Sequence, residues 1–200
     1  MEFINVATED VLSEAVAIRL IKLTDGKLVV SQTLRKNGFG YLRKKFDNFC
    51  QLAEHSPVLL ITDLDMLECA PKLVSQWSAG KKIPQQLLFR VAVREIESWI
   101  LADHEGLKKF FGGKIGSISS NPDSLPNPKA TLLTLAQKAP AKIRNGLVAK
   151  KGSLAIQGVE YNILLSDFVN SIWSPIKASE RSESLARAIK SIRALADKVS

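Results

Sequence analysis

Asp63 and Asp65 stand in the stretch Ile-Thr-Asp-Leu-Asp, directly after the apolar run 58–61. In extended backbone, residues two apart point to the same side, so both carboxylates could approach one cation. Held side by side they repel, and a cation relieves that cost. Asp-x-Asp alone also suits a turn or a helix cap. Glu9 follows another apolar stretch, 3–7. A third carboxylate at the same edge of a sheet begins an oxygen-only site of the kind that suits Mg²⁺ or Mn²⁺. Glu95 and Glu97 follow a further apolar run, 87–93. If a helix has already begun there, the two diverge by about 200°, and only one can face the site. Glu97 is the preferred one, with Ile96, Trp99 and Ile100 on the buried face, which leaves Glu95 to solvent or a basic neighbour. Asp103 reads as the cap of a helix over 104–111. His55 and His104 have no partner that would make either a general base. Gly38-Phe39-Gly40 lacks the phosphate-loop pattern, and there is no Walker motif.

The elements that must position these acids alternate in period. Residues 3–7 predict a strand and 9–22 a helix, with Thr8 as its cap and Glu9 and Asp10 in its first turn. Strand 28–30, helix 41–53, strand 58–61, helix 71–77 and strand 87–93 follow. The continuous apolar run 58–61 suits a strand covered on both faces. This alternation predicts an α/β fold with a parallel sheet flanked by helices. In such sheets ligands gather at the carboxyl ends of the strands, where these acids lie. After Gly112-Gly113 the character changes. Residues 113–128 predict an irregular loop. Helices are expected over 129–138, 159–172 and 180–199, while 141–156 is ambiguous. The last helix carries the stripe Leu185, Ala188, Ile189, Ile192, Leu195 and Val199, which should pack on the rest of the chain. The expected organisation is an α/β domain over 1–112 and a mainly helical C-terminal extension over 113–200 packed on it.

Composition narrows the function classes. No apolar run approaches the roughly 20 residues that span a bilayer, and no secretory signal opens the chain. A cytoplasmic protein without a membrane partner is the expectation. Cys50 and Cys69 lack metal-ligand spacing and read as buried free thiols. The net charge of +8 is uneven, with 15 Lys/Arg against 14 Asp/Glu over residues 1–111 and 13 against 6 over 112–200. Clustered acids beside a basic half would suit a metal-dependent enzyme acting on a polyanion, although on charge alone a solvated surface is the simpler reading. Aromatic residues make up only 6%, which argues against a stacking platform for single strands.

A Glu after the first strand followed by Asp-x-Asp after a later one resembles the TOPRIM pattern. The closer likeness is to small stand-alone TOPRIM-like proteins of bacterial defence loci, related to the overcoming-lysogenization-defect nucleases. It is carried by Thr8-Glu9, Asp63-x-Asp65, the segment Val-Ala-Val-Arg-Glu-Ile-Glu-Ser-Trp-Ile-Leu-Ala-Asp at 91–103, Asn127-Pro128-Lys129, and Ser182-x-Ser184-Leu185-x-Arg187. The resemblance implies a TOPRIM-like sheet and metal-dependent phosphodiester cleavage of DNA or RNA. Glu9, Asp63 and Asp65 would bind Mg²⁺ or Mn²⁺, Glu97 would bind or orient a second ion, and Lys129 would stand near the scissile phosphate. Lys129 otherwise reads as an exposed residue at a helix start. The likeness further implies an anti-phage effector regulated by a partner ATPase, with room for a homo-oligomer. The alternatives are a non-catalytic TOPRIM-like binding subunit and a primase- or phosphotransferase-like enzyme.

Overall fold

Four apolar stretches form four strands, β1 (Glu2–Thr8), β2 (Leu28–Arg35), β3 (Val58–Asp63) and β4 (Leu87–Ala92). They pair in parallel in the order β2-β1-β3-β4. The computed structural model describes residues 1–35, 40–113 and 115–198. Gly38 and Phe39 of the glycine loop and Val199 of the last stripe lie outside the described residues.

A parallel sheet needs apolar side chains on both faces, and the alternation of these strands supplies them. Ile4, Val6, Leu59, Ile61 and Leu88 join one buried cluster, and Ala7, Val58, Leu60, Leu87, Phe89 and Val91 join the other. The second face is covered by α2 (Tyr41–Lys44), α3 (Phe46–Leu52) and α4 (Ala70–Ser78), through Leu42, Phe46, Phe49 and Leu73. The helix expected over 41–53 is thus broken at Lys45, whose φ of −101° lies outside the helical range.

The first face is covered by α1 (Val11–Ile21) and by the C-terminal half: α5 (Glu97–Leu101), α6 (His104–Phe110), α7 (Pro128–Ala136), α8 (Ala141–Leu147), α9 (Tyr161–Ser171), α10 (Pro175–Ser179) and α11 (Glu183–Lys198). One buried cluster therefore runs from Ile4 to Ala196, with α9 packed on α1 and α11 on β4. The stripe Leu185, Ala188, Ile189, Ile192 and Leu195 is buried in that cluster. The helix expected to begin at 180 begins at Glu183 instead, because Ser182 and Asp123 organise its start. Asp123 accepts from the Ser182 hydroxyl and the Ser184 N–H, and the Ser182 hydroxyl caps Leu185 N–H.

Two local expectations change, and the expected Asp103 cap gains a second partner. Thr8 ends β1 rather than capping α1, and Asp10 is the cap, accepting from Ser13 N–H at 2.8 Å. Asp103 caps α6 through Gly106 N–H and also accepts from Ser174 N–H at 2.7 Å, tying α6 to the start of α10. Cys50 and Cys69 are free, but Cys69 is exposed rather than buried. Among the described residues, no helix is long and apolar enough to cross a membrane.

Candidate functional site

The order β2-β1-β3-β4 makes the chain leave β1 toward one edge of the sheet and leave β3 toward the other. A crevice opens at such a switch point, outside the carboxyl ends of the two central strands. Glu9 is the first residue after β1 and Asp63 is the last of β3. The shift of the helix start from Glu9 to Val11 matters here, because it leaves Glu9 in the connecting turn. Its carboxylate accepts from the Thr62 hydroxyl at 2.6 Å.

Asp65 comes near Glu9 and Asp63 by a route that the two-residue period does not describe. Extended backbone ends before it, and Asp65 sits at φ +50°, a left-handed conformation that Asp tolerates better than most residues. The loop is pinned to the end of β4: Leu64 N–H donates to the Ala92 carbonyl and Asp65 N–H to the Arg94 carbonyl. The Arg94 guanidinium then donates to the carbonyls of Asp65 and Leu67, at 2.9 and 3.0 Å. Leu64, between the two acids, is buried in the second-face cluster.

Glu97 opens α5 and is 3% exposed, so its carboxylate needs partners within the protein. Tyr161, at the start of α9, donates its hydroxyl to Glu97 Oε1 at 2.7 Å. Lys129 Nζ lies 3.6 Å from the same oxygen and 5.0 Å from the centre of the Tyr161 ring, a cation–π distance. Lys129 is thus half-buried beside the acids rather than free in solvent. Glu95 lies close enough for its charge to act on Glu97, but its carboxylate is engaged elsewhere, accepting Lys129 N–H at 2.9 Å and helping to cap α7 with Asn127.

Electrostatics couple the four acids. Burial pushes the Asp63 carboxyl well above its usual range, and the charges of Glu97, Glu9, Asp65 and Asp10 push it further. Burial also raises Glu9, against the Thr62 hydrogen bond and with the help of Asp65 and Asp10. Asp65 is raised by burial alone. Glu97 is raised by burial, partly offset by Lys129 and by the Tyr161 hydroxyl. Like charges gathered with one cation among them leave negative charge uncompensated, and the donor set is oxygen only, as hard divalent ions require. Even so, among the described residues no three His, Cys, Asp or Glu side chains stand close enough together to hold a metal ion as they are. His104 Nε2 is engaged with the Ser119 carbonyl, away from this cluster. Comparisons with protein-family models, with curated proteins and with solved structures found no match.

Two residues escaped the sequence reading. Tyr161 lies 64 positions from Glu97 and carries no local signal beyond its place near a helix start. Thr62 sits between apolar residues and Asp63, and the hydroxyl in an otherwise apolar buried strand was the available clue.

Asp63→Asn should stabilise the fold at pH 7–8, because the folded state holds this carboxyl above its unfolded value and so disfavours its ionised form. The gain should shrink as pH falls through the raised folded pKa and vanish below the unfolded value of about 3.9. Thermal melts across pH would show it, each 1 kcal/mol moving the midpoint by roughly 2–4 °C in a chain of this size. Tyr161→Phe should keep the ring beside Lys129 but strip a donor from buried Glu97. A loss of about 1.5–3 kcal/mol in urea unfolding at pH 8 is expected, and a loss under about 0.5 kcal/mol would show that the hydroxyl does not support Glu97.

Proposed function

We propose that this chain is a Mg²⁺- or Mn²⁺-dependent phosphodiesterase of TOPRIM type that cleaves DNA or RNA. The observation that carries the reading is the convergence of Glu9, Asp63, Asp65 and Glu97 at the β1/β3 switch point, with Lys129 beside them. On this reading Glu9, Asp63 and Asp65 hold one ion and Glu97 holds or orients a second. A divalent ion there supplies Lewis acidity, making a bound water more acidic and offsetting charge on the phosphate. The chain's own part is to orient. Thr62 fixes Glu9, the Arg94 clamp fixes the Asp65 loop, and Tyr161 with Lys129 fixes Glu97. Lys129, held beside Glu97 and the Tyr161 ring, would be the residue to meet a non-bridging phosphate oxygen, and the excess of Lys/Arg over residues 112–200 favours a polyanionic substrate. The family resemblance adds the biological setting, an anti-phage effector held in check by a partner ATPase.

A second reading, a non-catalytic TOPRIM-like binding subunit, is favoured by one observation: no three of the acids stand within reach of a single ion. The active-enzyme reading requires the side chains to close around the metal.

Cleavage of plasmid DNA and of total tRNA, with Mg²⁺ or Mn²⁺, separates the two. The control is Asp63→Asn/Asp65→Asn, because asparagine tolerates the left-handed backbone at position 65 where alanine would add strain. The nuclease reading predicts metal-dependent cleavage of one substrate class, lost at least a hundredfold in the double variant. Metal-dependent cleavage that survives in the double variant would refute the assigned site.

A further inference from the structure

The sheet order leaves β4 at an open edge. Val58 N–H donates to the Gln86 carbonyl and Leu64 N–H to the Ala92 carbonyl, so the even-numbered peptide groups of β4 face β3. Successive peptide groups of a strand point to opposite sides, so those of Phe89 and Val91 point outward. An edge with unpaired N–H and C=O groups is a template for another strand. β2, the other edge strand, pairs with β1 through a register irregularity between Ile4 and Val6, the kind of feature that disrupts an edge as a template.

A groove of about 450 Å³ lies along the β4 edge, between α4 on one side and the turn at Asn121–Asp123 with α11 on the other. Its walls are largely apolar, from Ala70, Val74, Val91 and Val93. Arg90 projects into it from the strand itself and is half-buried. Its Nε is shut off from solvent and has no acceptor among the described residues. The nearby carboxylates are already committed. Asp123 accepts from the Ser182 hydroxyl and Ser184 N–H, and Glu183 pairs with Arg187. A half-buried guanidinium without a counter-ion, on an open strand edge, asks for a carboxylate delivered by an added strand.

We propose that the β4 edge is a docking site for an extended acidic segment of a partner protein. The segment adds in line as a fifth strand, bonds the outward peptide groups of Phe89 and Val91, and places an Asp or Glu on Arg90. Apolar residues alternating with the acid fill the groove. A second copy of this chain fits less well, because two β4 edges meeting about a twofold axis would bring Arg90 toward Arg90 in a chain of net charge +8. The proposal is independent of the phosphodiesterase reading.

The test is selection of random dodecapeptides displayed on phage against the full chain, followed by fluorescence anisotropy with the enriched peptides. Enriched sequences should alternate apolar residues around an Asp or Glu. Arg90→Ala should weaken binding at least tenfold, and Arg90→Glu should reverse the preference toward basic peptides. Val91→Pro removes an outward N–H together with a side chain of the second-face cluster, so it should lower the melting midpoint, retain the circular dichroism spectrum and lose binding. Failure to enrich any peptide, enrichment of peptides without an acid, or binding unchanged in Arg90→Ala would overturn the proposal. Concentration-dependent dimerisation abolished by Val91→Pro would also overturn it, by assigning the edge to a second copy.

Discussion

Burial of the Glu97 carboxylate is the constraint on which the arrangement of the two halves depends. A carboxylate at 3% exposure is costly without partners, and beyond its own backbone N–H it has two side-chain partners. Both partners come from the C-terminal half, Lys129 from α7 and Tyr161 from α9. The helices after residue 112 therefore do more than cover the first face of the sheet. They partly offset the charge of Glu97, and α9 does so while packing directly on α1, the helix that follows Glu9. Core and site are built from the same contacts, so packing errors on that face propagate to the acids.

The neighbouring groups are held in a different way. Glu9 and Asp65 sit on loops, and each loop is fixed by hydrogen bonds from the sheet: Thr62 to Glu9, and Arg94 to the backbone around Asp65. Mutual repulsion among these acids opposes the compact state, and a fold that retains them forgoes stability it could gain by neutralising one. Such sites, where burial and like charge act together, are where ligand-binding chemistry concentrates.

Much of this was legible in the sequence. Apolar runs located all four strands, and the acids were read at strand ends because the runs stop there. Asp103 was read as a cap from its place before a helix, and the structure gives it that role. The rest depended on long-range geometry. Strand order is not encoded in any one strand, so the switch point between β1 and β3 could not be read. The break at Lys45 and the late start of α11 at Glu183 are set by backbone and capping details that a smooth apolar stripe conceals. The choice between Glu95 and Glu97 turned on where α5 begins. Tyr161 was invisible because its partner lies in a distant segment.

The divalent-cation site proposed at the switch point has a signature in stability. Thermal unfolding of the wild type and of Asp63→Asn/Asp65→Asn, titrated with Mg²⁺ and Mn²⁺, tests it without depending on catalysis. A site in the folded state predicts a wild-type midpoint that climbs with metal concentration, reaching about 2.7 kcal/mol of added stability at a hundredfold excess over Kd, and a flat response in the double variant. A flat response in the wild type, or the same rise in both proteins, would contradict it.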